Sequence, residues 1–161
     1  MKIVLLCVGK TDFNFVEEGV KLYSERLKHY CQFEILCIPA LKNVSSLTKE
    51  QIKEREGDLI IKELSKRDGH VVLLDERGKL YDSVEWAKSI ERVLSGIKTS
   101  AKNLVFVIGG AYGFSESVYK IARESLSLSK MTFSHQIVRV IFLEQLYRAF
   151  TIIKGEPYHH I

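Results

Sequence analysis

Apolar residues in this chain fall into short unbroken runs separated by longer stretches with helical spacing. Ile3–Val8 is a continuous apolar run closed by Gly9, which predicts a strand buried on both faces. From Phe15 to Tyr30, the positions Val16, Val20, Tyr23, Leu27 and Tyr30 recur at helical intervals with charge on the other side, an amphipathic helix. Phe33–Ile38 predicts a second strand, stopped by Pro39. Thr48 is placed to cap a helix, with Gln51 three residues on completing a capping box, and the helix continues to about Lys66. After the Asp68-Gly69 turn, His70–Asp75 predicts a third strand. Ser83 to about Ile97 predicts a helix with Val84, Ala87, Ile90, Val93 and Leu94 on one side. Leu104–Ile108 predicts a fourth strand ending at Gly109-Gly110, and Ser115–Ser125 a short helix. Ser127–Phe133 mixes hydroxyl and apolar side chains as a loop or short strand. His135–Ile153 is the last helix, before a Gly155-Glu156-Pro157 break.

Strands alternating with helices predict an α/β fold, a mainly parallel sheet flanked by helices, in one domain spanning residues 1–161. Apolar residues make up 46% of the chain and charged residues 27%, enough to build a real core. The net charge of +4 excludes a histone-like tail protein and a strongly acidic one; it permits a nucleic-acid partner without requiring one. Of that excess, +1 falls in residues 1–99 and +3 in residues 100–161, so a polyanion would be met by the last third. Cys7, Cys31 and Cys37 form no CxxC pair and read as reduced core thiols; no metal site is expected. Residues 2–8 do not form a signal peptide and no apolar stretch reaches about 18 residues, so no membrane partner is expected and a cytoplasmic location is.

In parallel α/β sheets, ligands bind beyond the carboxyl ends of the strands. Three segments reach that edge: the turn after Leu74, the turn Gly109-Gly110-x-x-Gly113, and Leu126–Phe133. Neither GxGxxG nor GxxxxGK[ST] is present, so the dinucleotide fingerprint and the Walker loop are both absent. The last helix is apolar around most of its circumference, and such a helix must be buried nearly all round. A second copy of the chain is expected to cover part of it, giving a homodimer. Arg139, Glu144, Gln145 and Arg148 on that helix then need partners, as a structural ion pair or as an anion or catalytic site near the interface.

Several of these segments resemble one family. They are Phe106-Val107-Ile108-Gly109-Gly110, Leu126–Phe133 running into His135-Gln136-x-x-Arg139-Val140, Glu144-Gln145-Leu146-Tyr147-Arg148-Ala149, and Pro157-Tyr158-His159, with Val8-Gly9-Lys10 and Ile38-Pro39. The family is that of the 23S ribosomal RNA pseudouridine N3-methyltransferases, within the SPOUT superfamily. The resemblance implies a C-terminal trefoil knot, a homodimer, S-adenosylmethionine as methyl donor, and a pseudouridine of large-subunit ribosomal RNA as acceptor, presented by the assembled ribosome. It also implies a donor site built from Leu74, Gly109, Leu128, Ser129, Lys130, Met131, Thr132 and Phe133. The family often carries Pro before the His that opens the last helix; here Ser134 precedes His135 and can cap the helix instead.

The acceptor N3 of a pseudouridine is a weak nucleophile until its proton leaves, so a base or a cation that stabilises the imidate is needed. The candidates are His159 as base, Tyr158 as hydrogen-bonding or stacking group, Arg148 as electrostatic stabiliser, and His135 as a second base. Each also has a plainer reading: an exposed tail for His159, a packing anchor for Tyr158, an ion pair with Glu144 for Arg148, a helix-start residue for His135. Two other functions fit the sequence, a Rossmann-like nucleotide-binding enzyme and a non-catalytic dimeric RNA- or ribosome-binding factor.

Overall fold

The computed structural model describes residues 1–160. Ten elements follow in chain order: β1 (Lys2–Val8), α1 (Asn14–Leu27), β2 (Phe33–Ile38), α2 (Lys49–Leu64), β3 (Gly69–Leu80), α3 (Ser83–Leu94), β4 (Asn103–Ile108), α4 (Glu116–Ile121), β5 (Glu124–Ser127) and α5 (Ile137–Lys154). The five strands form one sheet in the order β2-β1-β4-β3-β5, and every neighbouring pair is parallel.

Alternation along the central strands sorts their side chains between two cores. Ile3, Leu5 and Cys7 of β1 join Leu104, Phe106 and Ile108 of β4 on the face covered by α1, α3 and α5. Val4, Leu6 and Val8 join Val105 and Val107 on the face covered by α2 and α4. On the first face Phe106, Phe142 and Trp86 meet ring to ring, with centroids 4.7 to 6.1 Å apart. Both faces of the sheet are therefore apolar, as a parallel sheet requires.

Local signals set several boundaries. Thr48 and Gln51 form the expected capping box, each side chain accepting from the other residue's amide. Asp82 and Glu85 form a second at the start of α3. Two expected elements differ. β3 does not stop at Asp75 but runs on through polar residues to Leu80, because β5 supplies a partner: Leu126 pairs with Leu74 and again with Lys79. A Cβ on Gly78 would lie 2.6 Å from the Ser125 backbone, so only glycine lets the two chains meet there. The helix expected over 115–125 is α4 alone; its last residues belong to β5, docked on β3 by the Arg123 amide donating to the Val71 carbonyl at 2.9 Å. The stretch beginning at Ser127 is thus the end of a strand followed by a loop.

No residue of α5 from Ile137 to Ile153 is exposed, in line with its apolar circumference. Its first turn is tied to the loop after β1. Gln136 accepts from the Asp12 amide and donates to the Lys10 carbonyl, each at 3.0 Å. Arg139 is 1% exposed and has no carboxylate partner among the described residues. Its guanidinium donates to the Val8, Gly9 and His135 carbonyls and to Thr11 Oγ1, all at 3.0 Å. The expectation of an ion pair or anion site is corrected here: Arg139 is a structural tie that satisfies backbone oxygens where β1 ends. Ser134 does cap, since its Oγ accepts from the Ile137 amide at 3.1 Å. Of the three thiols, Cys7 is buried, Cys31 half-buried and Cys37 exposed on the edge strand β2, so Cys37 is not a core residue.

Candidate active site

The carboxyl ends of β4 and β5, with the middle of β3, open onto a cleft of about 670 Å³, within the usual range for small-molecule sites. The irregular stretch of β3 over residues 74–77, where a turn was expected, the turn from Gly109 to Gly113, and the loop from Leu128 to His135 are its three walls. Leu74, Gly109, Leu128, Ser129, Met131, Thr132 and Phe133 all line it, whereas Lys130, expected with them, is exposed and outside the lining.

Each wall is held in place by local chemistry. In the third, Ser127 Oγ donates to the Ser129 carbonyl at 2.8 Å, and Ser129 Oγ accepts from the Met131 amide at 3.0 Å. The alternating hydroxyls thus fold the loop on itself and leave Leu128 and Phe133 to face the cleft. Thr132 donates to Glu76, fastening this loop to the irregular middle of β3. On the first wall, Asp75 accepts from the Tyr119 hydroxyl and from the Arg77 amide. Burial and this bond to Asp75 push the Tyr119 phenol up. In the second wall the backbone itself is the surface. A Cβ on Gly109 would lie 3.0 Å from the Phe114 ring, and one on Gly110 2.5 Å from the Glu56 carboxylate. Both residues present backbone to the cleft while anything larger would strike the packing behind.

The remaining candidates divide between two places. His135 lines the cleft, half-buried, and its ring has no hydrogen-bond partner among the described residues. Arg148, Tyr158 and His159 come together elsewhere, ten residues and about 15 Å further along α5 from Val138. There Glu144 Oε1 accepts from Arg148 at 2.5 Å and from the Tyr158 hydroxyl at 3.1 Å. Arg148 donates to His159 Nδ1 at 3.1 Å and lies 4.8 Å from the centre of the Tyr158 ring. The bond to Glu144 raises the Arg148 pKa, and burial with contacts to Tyr23 and Glu144 holds the Tyr158 phenol well above its usual range. With Nδ1 taken by an arginine donor, the neutral His159 ring carries its proton on Nε2 and presents a donor there. Glu144 was among the helix residues expected to need a partner, whereas Gln136, Asp75 and Tyr119 were not singled out as site residues by the sequence. Among the described residues there is no cluster of His, Cys, Asp and Glu suited to a metal, and no helix long and apolar enough to cross a membrane.

A cleft at the strand ends of a parallel sheet, walled by a Gly-Gly turn and a self-bonded loop that feeds a buried helix, defines the class. The chain belongs to the SPOUT methyltransferase family: the family described as "Predicted SPOUT methyltransferase" matches residues 1–159. Its fold class is therefore the α/β knot, and it is a methyltransferase by family. More particularly, it is 52% identical over 160 residues to a Parabacteroides distasonis protein named "Ribosomal RNA large subunit methyltransferase H", covering 99% of both chains. A Christiangramia forsetii protein of the same name is 53% identical over the same length and coverage. Among solved structures, a probable methyltransferase from Bordetella pertussis superposes with a TM-score of 0.55 at 12% identity, over 92% of this chain and 94% of its own. A probable methylase family protein from Haemophilus influenzae also gives 0.55, at 11% identity, over 99% of this chain and 70% of that one. At those identities the likeness concerns the fold.

The cleft fits the donor that this family uses. Leu74, Ile108, Leu128, Phe133 and Val138 offer apolar walls to a purine, and the Gly109–Gly110 backbone can lie directly against it. Asp75 and Glu76 place carboxylates at the same rim, favourable to a sulfonium and an ammonium group.

Proposed function

We propose that this chain methylates N3 of a pseudouridine in large-subunit ribosomal RNA, on the assembled ribosome in the cytoplasm, and works as a homodimer. The observation that carries the reading is the convergence of the three walls on one cleft, in a chain about 50% identical to proteins named for large-subunit ribosomal RNA methylation.

Bound S-adenosylmethionine supplies an electrophilic methyl group. The residues of the chain position, orient and adjust charge, and positioning alone is worth about 7–11 kcal/mol in well-aligned reactions. Leu74, Gly109 and the loop from Leu128 to Phe133 hold the donor. His135, beside that loop with its ring nitrogens uncommitted, is placed to take the N3 proton. Arg148, fixed by Glu144, stabilises negative charge on the acceptor's oxygens, and His159 donates from Nε2 to the same charge. Tyr158 spends its proton on Glu144 and offers its ring as a stacking face. This gives His159 a donor's role rather than the base's role first considered.

One chain does not bring these groups together, since the Arg148–Tyr158–His159 cluster lies beyond the cleft. A second copy with its tail laid over the first copy's cleft completes the site. The exposed apolar side chains near the start of α1 and on the third wall favour such a contact. Phe13 and Phe15 stack at 5.9 Å while 55% and 62% exposed, and Met131 is 76% exposed. The small positive charge suits recognition of a large shaped target rather than tight binding to any RNA.

The test is transfer of labelled methyl from S-adenosylmethionine to ribosomes lacking the modification, with the product mapped by mass spectrometry. One methyl at a pseudouridine of the large subunit is expected, with short hairpins much poorer substrates. No incorporation, or equal rates on a hairpin, refutes the reading. Truncation after Gly155 should abolish transfer and leave most of the donor affinity intact, since no residue that lines the cleft belongs to the tail. Full activity in that variant removes the tail from the mechanism.

A further inference from the structure

The polar face of α2 is solvated except at one residue. Glu56 is 9% exposed, and its Oε1 is buried with no hydrogen-bond partner among the described residues. An orphaned buried acceptor costs about 1–3 kcal/mol, so its persistence calls for a reason. Its position supplies one. Both carboxylate oxygens press on the back of the Gly-Gly turn: a Cβ on Gly110 would stand 2.5 and 2.6 Å from them. The other side of that turn is a wall of the cleft. The turn has spare donors on the same segment. Its internal bond runs from the Gly113 amide to the Gly110 carbonyl at 3.2 Å, and the amides of Gly110, Ala111 and Tyr112 donate to no other group among the described residues.

Glu56 is also held firmly where it is. The next residue, Gly57, packs against the Ser115 side chain, which caps α4, so α2 cannot roll away from the turn without opening that contact. Burial pushes the Glu56 carboxyl up, as expected of an acceptor waiting for a donor.

We infer that Glu56 is a positioning residue of the donor site: its free carboxylate oxygen accepts a backbone amide of the Gly110–Tyr112 segment when the turn closes on S-adenosylmethionine. Closure exchanges an orphaned acceptor for a charge-assisted hydrogen bond, and donor binding draws on that difference. Glu56 touches neither donor nor acceptor and acts through the turn. The inference rests on the proposed reading of the cleft as the donor site.

Two substitutions separate this role from simple packing. Glu56→Met keeps the length of the side chain and removes the acceptor. Glu56→Gln keeps an acceptor oxygen and removes the charge. Calorimetric titration of S-adenosylmethionine into the full-length protein, thermal unfolding without ligand, and kcat at saturating donor are measured for all three proteins. For Glu56→Met the expected result is a Kd raised about 5- to 10-fold, an unchanged kcat, and a Tm equal to or above the native value. For Glu56→Gln the expected Kd is raised only about 2- to 3-fold, because a neutral acceptor retains about half of a charge-assisted hydrogen bond. Native-like donor affinity in the Met variant overturns the inference, as does an equal loss in the Gln variant. A fall in Tm that accompanies lost affinity also overturns it, since packing would then explain both. Failure of the native protein to bind the donor overturns the cleft assignment itself, and the three measurements distinguish that result from a failure of Glu56 alone.

Discussion

Replacing Arg139 by methionine tests how the last helix is fastened to the sheet. The guanidinium reaches four oxygens at 3.0 Å, three of them backbone carbonyls at the end of β1 and the start of α5. Methionine fills much of the stem's volume and leaves those carbonyls without that donor. Each bond from a charged donor contributes about 1.5–3 kcal/mol, while relief from burying a cation offsets part of the loss. The expected net destabilisation is about 3 kcal/mol, at the lower edge of what breaking a buried charged network costs. In a chain of this length each kcal/mol moves Tm by about 2–4 °C, so a fall of about 6–12 °C is expected by calorimetry. In urea the midpoint should drop with the slope unchanged. Arg139→Lys keeps the charge on a single ammonium that cannot span the same oxygens, and should lie between the two. A Met variant as stable as the native protein refutes the reasoning, because the cost of burying the cation would then match everything its bonds return.

Gly57→Ala should destabilise by about 1–2 kcal/mol in urea titration, although the same change in an open helix stabilises by about 1 kcal/mol. The new Cβ falls against the Ser115 side chain, 3.0 Å from its Cβ, and a rise in stability would show that α2 and α4 are free to separate there. Cys37 should be the thiol alkylated by iodoacetamide near neutral pH. The Cys7 thiol donating to it, with the Arg139 charge nearby, lowers its pKa to about 6, whereas burial pushes Cys31 up to about 11. The depressed value sets the sign: labelling falls as pH drops through about 6 and is nearly level above 7. Peptide mapping that finds a rate still climbing toward pH 9 would refute the assignment.

The parts of the fold that could be read from sequence are those set by neighbours along the chain. β2 has the expected bounds, and the Thr48–Gln51 box starts α2 where its spacing says. The extension of β3 could not be read that way. Glu76-Arg77-Gly78-Lys79 is polar, and it becomes strand only because β5, about fifty residues on, pairs with it. Gly78 was the one local trace, marking where two backbones touch. The convergence of the cleft's walls followed from strand polarity alone, so most of the cleft's lining was legible. The separation of Arg148, Tyr158 and His159 from that cleft was not, because helical spacing places residues on a face without saying which cavity the face borders. Glu56 was hidden among the charges of α2, although glycine beside it in mid-helix pointed to close packing.

The third wall of the cleft comes late in the chain, just ahead of α5. Residues 126–135 are secured from behind by α5, whose own anchor is the loop after β1 at the opposite end of the sequence. A nascent chain can assemble most of its sheet and still possess no complete cleft until α5 has been seated. On the proposed reading of the cleft, capture of S-adenosylmethionine therefore reports a seated α5, and a partly made chain stays chemically silent.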